Sequence, residues 1–140
     1  MKQTLLDTDI FSEILKKKHA QVVDTSQQYL QQYKMYTIST ITVMEIVKGL
    51  HKVRREDAIE RFLENIETHE IISLTETSAT LAGRIAADLE RKGQPIGLAD
   101  PMIAAIAIEH SLILATGNER HYQRIQSVGY DLKIVNWKAS

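Results

Sequence analysis

Pro95-Ile96-Gly97-Leu98-Ala99-Asp100-Pro101-Met102-Ile103-Ala104-Ala105-Ile106-Ala107 is the stretch on which the fold class turns. After Gly97 it reads as an almost wholly apolar helix over residues 99–110, opened by Asp100 and by Pro101, which sits comfortably in a helix's first turn. The helix leads directly into Leu112–Thr116, a short apolar run that reads as a strand. The same alternation extends outward in both directions. Upstream, an amphipathic helix from Glu76 to Arg91 stops at Gly93, with Pro95 beyond it. Residues 3–8 read as a short buried strand ending in acids, Tyr36–Ser39 as a second strand and Ile71–Leu74 as a third. Lys133–Trp137 supplies a fifth. Between them lie helices over residues 9–18, 20–34, 40–53 and 55–69, and a short one near 119–126. Val22, Val23, Tyr29, Leu30 and Tyr33 mark the helical period of the second; Val43, Ile46, Val47, Leu50 and Val53 mark that of the third. Such alternation implies a three-layer α/β/α domain, with a mainly parallel central sheet of four to five strands and helices on both faces. Ligands bind these sheets outside the carboxyl ends of the strands, near the topological switch point. The residues that matter are therefore expected just after strands.

The chain has 140 residues, a formal net charge of −1 and no cysteine. That length is one domain's worth, and no linker, repeat or low-complexity stretch divides residues 1–140. Absence of cysteine removes disulfides and thiolate metal sites and fits a reducing, cytoplasmic setting. No apolar run approaches the roughly 18–20 residues of a membrane span, and an acid follows Leu5-Leu6, so no signal peptide or membrane association is expected. The near-neutral balance excludes a protein that grips nucleic acid with its whole surface; any such contact needs a local basic patch beside an acidic centre.

Acids do stand after strands. Asp7 closes the first, followed by Thr8 and Asp9; Glu45 lies in the first turns of the helix after the second; Asp100 opens the apolar helix; Thr116-Gly117-Asn118 follows the fourth strand. Carboxylates gathered on one sheet edge repel, by about 4 kcal/mol for two charges about 4 Å apart at an effective dielectric near 20. A hard divalent cation relieves that repulsion, and the all-oxygen donor set suits Mg²⁺ or Mn²⁺ better than zinc. Such an ion polarises a phosphoryl oxygen and lowers the pKa of a bound water, so phosphodiester hydrolysis is the reaction class that uses it best. Each acid also has a plainer reading. Asp7 fits the N-cap of the following helix, Thr42-Val43-Met44-Glu45 has the spacing of a capping box, and Asp100 before Pro101 fits an N-cap.

Taken together, the contexts resemble a family. Leu5-Leu6-Asp7-Thr8-Asp9-Ile10 resembles the opening motif of PIN-domain nucleases, and Ile38–Gly49 around Glu45 the second. Pro95–Ala107 around Asp100 is similar to the third and most distinctive, Leu114–Tyr122 to the fourth, and Val135-Asn136-Trp137 to the closing strand. The order is right and the match runs from residue 3 to 137. Its branch resembles the VapC ribonuclease toxins of toxin–antitoxin pairs. The resemblance implies metal and scissile-phosphate binding by Asp7, Glu45 and Asp100 with Mg²⁺ or Mn²⁺, cleavage of RNA, a small cognate antitoxin that blocks the site, and a homodimer. Asn118 stands where many relatives carry a fourth acid and is read as a catalytic-site amide; His121, further on, is not read as a ligand. Asp9 is a candidate additional carboxylate.

An RNA substrate needs cations beside the acids, because phosphate contacts supply most non-specific affinity. Lys48 and Lys52, one turn apart on the face of Glu45, and Arg120 are the candidates, with Thr116 as a further substrate contact; each basic residue also reads as part of a solvated face. Lys16-Lys17-Lys18 suits a helix C-terminus. Tyr29 and Tyr33, at i,i+4, read as packing or dimer surface. The five histidines show no metal-ligand spacing, and neither a nucleophile elbow nor a Gly-rich phosphate loop is present. Two other functions remain open: a catalytically weak PIN-like scaffold that binds RNA or a protein, and a phosphatase of haloacid-dehalogenase type, whose nucleophile motif Asp7-Thr8-Asp9 resembles.

Overall fold

A computed structural model describes residues 1–139. Five strands, β1 (Thr4–Leu6), β2 (Thr37–Ser39), β3 (Glu70–Ile72), β4 (Ile113–Ala115) and β5 (Ile134–Val135), form one sheet in the order β3-β2-β1-β4-β5. Every pairing is parallel. The helices are α1 (Thr8–Lys16), α2 (Ala20–Tyr33), α3 (Thr40–Lys52), α4 (Glu56–Ile66), α5 (Glu76–Arg91), α6 (Ala99–Glu109) and α7 (Glu119–Ser127). Each element expected from periodicity is present. The strands are shorter than expected: β1 ends where Asp7 caps α1, and β4 ends before Thr116, whose side chain bonds Asp7.

The two-residue period of the strands divides the core. Leu5 and Leu114 face α5, α6 and α7, among Ile85, Leu89, Ile103, Ile106, Tyr122 and Ile125. Their neighbours Leu6 and Ala115 face the other side, among Phe11, Val22, Tyr29, Tyr36, Ile38, Phe62 and Trp137. Strand side chains alternate between faces, so the central strands β1 and β4 each serve two cores. The apolar helix α6 fits this plan, since its residues 103–107 are wholly buried. Tyr29 belongs to the packing as well: its ring stacks on Tyr33 at 4.6 Å, and its hydroxyl accepts the Thr4 N–H at 3.1 Å.

From β1 the chain steps outward to β2 and β3, then returns across the sheet to β4 on the other side of β1 and moves on to β5. The direction of winding thus reverses between β1 and β4. In a parallel sheet the loops leaving two such strands diverge to opposite faces and leave a crevice at their carboxyl ends. Leu6 pairs with Ala115 at that end, and the Asp7 N–H donates to the Ala115 carbonyl at 2.9 Å. Asp7 and Thr116 therefore stand side by side at the reversal.

Candidate active site

Asp7 is buried, 5% exposed, at the floor of the crevice. Its extended backbone makes it the N-cap of α1, where Oδ1 accepts the Thr8 N–H at 2.9 Å. The capping reading and the site reading of Asp7 thus hold at once: one oxygen caps, while the other accepts the Thr116 hydroxyl at 2.8 Å. Burial first, then Asp9 and Asp100, raise the Asp7 carboxyl from its ordinary 3.8 to about 7, against the hydrogen bonds from Thr116 and Thr8. A buried acid with two acidic neighbours is an anion short of positive charge.

Asp100 is not the N-cap of its helix. Leu98 occupies that position without a side-chain cap, and the Asp100 carboxylate instead faces α7. Oδ2 lies 2.8 Å from His121 Nδ1, and Oδ1 accepts the Tyr122 hydroxyl at 3.2 Å. Tyr122 is fully buried, and its hydroxyl pKa is raised well above the ordinary value, first by burial and then by Asp7 and Asp100, between which it lies. Asn118 is exposed; its side-chain amide lies 2.9 Å from the same His121 nitrogen, and its N–H donates to the Thr116 hydroxyl at 2.9 Å.

Glu45 does not form a capping box with Thr42. Ser39 takes the N-cap of α3, accepting the Thr42 N–H at 3.2 Å, which leaves Glu45 free on the helix face. Glu45 accepts the Thr8 hydroxyl at 2.6 Å, and that hydroxyl also lies 2.9 Å from the Thr42 hydroxyl. Glu45 thus joins the Asp7 network through Thr8. On the opposite side, Asp9 Oδ2 accepts the Gly117 N–H at 2.9 Å and pairs with Lys138 at 3.3 Å, whereas Asp9 Oδ1 is enclosed without a hydrogen-bond partner.

The structure so brings Asp7, Asp9, Asp100, Asn118 and, by way of Thr8, Glu45 to one end of the sheet. Thr116 is there too, but it is fully buried with its hydroxyl committed to Asp7 and the Asn118 N–H. Its hydroxyl braces Asp7, a role the sequence did not assign to it. Thr116→Val keeps the volume and removes the donor; it is expected to cost about 1–3 kcal/mol, the range for a buried partner left unsatisfied, as read by urea unfolding at pH 8. Lys48, Lys52 and Arg120 are exposed and make no ion pair with the acids. Thr8 and Tyr122 lie inside the motif stretches without being read as site residues, and Lys138 lies just beyond the last of them. Each acts across a long sequence separation; Asn118, the N-cap of α7, and His121, three residues on, form the local pair through which His121 meets Asp100.

Among the described residues, no three acids or histidines are close enough to clasp one ion directly. The donors nevertheless fit a hard cation of small coordination demand on the protein, because Mg²⁺ keeps several waters and is usually held by only one or two carboxylates plus substrate phosphate. The unpartnered Asp9 Oδ1 and the raised Asp7 carboxyl are the observations that fit such an ion.

Residues 4–126 match the PIN domain family. The chain is 35% identical over 129 residues to the tRNA(fMet)-specific endonuclease VapC of Shigella flexneri, covering 89% of this chain and 93% of that protein. It is 30% identical over 141 residues to Ribonuclease VapC2 of Haemophilus influenzae, covering 98% and 99%. Among solved structures, DNA-bound VapBC from Salmonella typhimurium superposes with a TM-score of 0.80 at 29% identity, over 98% of this chain and 99% of that one. VapBC-1 from nontypeable Haemophilus influenzae gives 0.79 at 26%, over 97% and 98%.

Proposed function

The chain belongs to the PIN-domain family, and we propose that it is an endoribonuclease, the toxin of a VapBC-type toxin–antitoxin pair, that hydrolyses RNA phosphodiesters in the crevice between β1 and β4. One observation carries the catalytic part of this reading: Asp7, Asp9 and Asp100 share the switch-point crevice, where burial above all, and then Asp9 and Asp100, push the Asp7 carboxyl up to about 7. Relatives named ribonuclease or endonuclease, and structural neighbours that are VapBC complexes, support the activity and the small antitoxin partner. We further assign Mg²⁺ or Mn²⁺ as cofactor, a homodimer as the working assembly and the cytoplasm as its setting. None of the described helices is long and apolar enough to cross a membrane.

Held by Asp7 and Asp100, a divalent ion would polarise a phosphoryl oxygen and lower the pKa of water beside it. The chain's own residues do the rest. Thr116 and the Thr8 N–H fix the direction of Asp7, while His121 and Tyr122 fix that of Asp100, so neither carboxylate has to reorganise as charge develops. Glu45, held by Thr8 at the wall of the crevice, accepts a hydrogen bond from the attacking water and receives its proton. Asn118 offers an uncharged amide beside them, which orients a water or a phosphate edge without adding repulsion. Lys48, Lys52 and Arg120 lie outside and take RNA phosphates from solvent.

Purified chain free of antitoxin is expected to cut RNA with Mg²⁺ or Mn²⁺, to stop on chelation, and to stop again when antitoxin is added. In cells lacking the antitoxin, expression is expected to arrest growth, with relief by Asp7→Ala. If no RNA is degraded under either metal, the reading gives way to a PIN-like scaffold that binds without cutting.

A further inference from the structure

Among the described residues, Lys138 is the one lysine or arginine that pairs with a carboxylate of the crevice. The pairing is built. Trp137 is buried and anchors the segment. The Lys138 N–H donates to Asn136 Oδ1 at 2.9 Å, and Asn136 Nδ2 in turn donates to Glu119 Oε2 at 3.1 Å, in the first turn of α7. The lysine stem lies over Gly117. A Cβ there would stand 2.9 Å from Lys138 Cδ, 3.0 Å from Nζ and 2.6 Å from Asp9 Oδ2, so a larger residue would push these two side-chain ends off the loop after β4. That loop also supplies Thr116 to Asp7 and Asn118 to His121. The ammonium is therefore held at the rim of the acidic centre by its stem and backbone, and its one carboxylate partner is two-thirds buried.

Resting on the ribonuclease reading, we propose that Lys138 is a substrate-binding residue of this site, pairing with Asp9 when RNA is absent and passing to a phosphate oxygen of the bound strand. The exchange replaces one anionic oxygen by another, so the ammonium stays paired throughout. Asp9 retains the Gly117 N–H, and its enclosed Oδ1 is left facing whatever positive charge the centre holds. Lys138 differs here from Lys48, Lys52 and Arg120, which are exposed and must give up full rotamer freedom to meet a phosphate. The pre-placed stem makes Lys138 the cation with the least to lose.

The test is binding of a single-stranded RNA oligonucleotide across about 50–200 mM salt, in an Asp100→Asn background that leaves the RNA uncut. Lys138→Met is expected to weaken binding about tenfold at low salt and to flatten the log–log salt slope by about 0.7, the share of one phosphate contact on a single strand. Lys138→Arg is expected to restore both. Asp9→Asn, which frees the ammonium, is expected to tighten binding, and Lys138→Met is expected to weaken binding to the same degree in that background. An unchanged slope, or a Lys138→Met effect that vanishes with Asp9→Asn, overturns the inference while leaving the ribonuclease reading intact; the second outcome would mean that Lys138 only neutralises Asp9. Failure of the unsubstituted chain to bind or cut any RNA overturns both.

Discussion

Asp7→Asn is expected to make the metal-free protein more stable at pH 8, by about 4 kcal/mol, while leaving RNA uncut. The carboxyl of Asp7 titrates at about 7 in the fold against an ordinary 3.8. A raised acid pKa means that the folded state holds its proton where the unfolded state has released it. The metal-free protein therefore keeps the full benefit of neutral Asp7 below about pH 4 and loses it progressively up to about pH 7, with no further loss above. At about 1.4 kcal/mol per unit, a shift from 3.8 to about 7 is worth about 4 kcal/mol. Asparagine cannot ionise, keeps an oxygen for the Thr8 N–H and leaves Thr116 as a neighbour able to accept. Urea unfolding from pH 4 to 8 without metal checks the sign: the unsubstituted chain weakens across the window, and the variant does not. Added Mg²⁺ is expected to restore the unsubstituted chain at pH 8 and to do nothing for Asp7→Asn, by mass action on the folded state.

Asp100→Asn carries the second large effect, on chemistry rather than stability. Its carboxylate is oriented by His121 and Tyr122, from two positions of one helix turn. The amide keeps the shape and one acceptor but removes the charge on which cation binding depends. A metal contribution of several kcal/mol to the transition state, at about 1.4 kcal/mol per factor of ten, predicts a fall in cleavage of about 10³-fold. The fold should persist, since Asp100 caps no helix and its partners retain an acceptor. Single-turnover cleavage of RNA under saturating Mg²⁺, alongside an unfolding curve, separates the two quantities.

The order of elements and the positions of Asp7 and Asp100 were legible because both are local facts. A strand that ends in an acid, and an apolar helix that starts with one, need no knowledge of the rest of the chain. The placement of both at the carboxyl ends of a parallel sheet follows from the alternation. The local patterns also misled. Thr42 to Glu45 has capping spacing, yet Ser39, one step before the helix, took the cap; Asp100 before Pro101 looks like a cap, yet Leu98 holds that position. Thr116 was legible as a site residue but not as a buried brace, because its partner Asp7 is 109 positions away. Lys138 was illegible for the same reason: a lone lysine after Trp137 acquires a role only when β5 returns beside β4 and sets it over Gly117. Non-local pairing, rather than weak propensity, is what hid these residues.

Calorimetric titration of Mn²⁺ into metal-free protein at pH 8, for the unsubstituted chain, Asp7→Asn and Asp100→Asn, addresses the central claim that these two acids meet to hold one ion. Saturable binding of a single ion by the unsubstituted chain, weakened at least about tenfold by either substitution, is the predicted result. Equal Mn²⁺ affinity in all three proteins would contradict it, because no shared site could lose a carboxylate without loss of the ion.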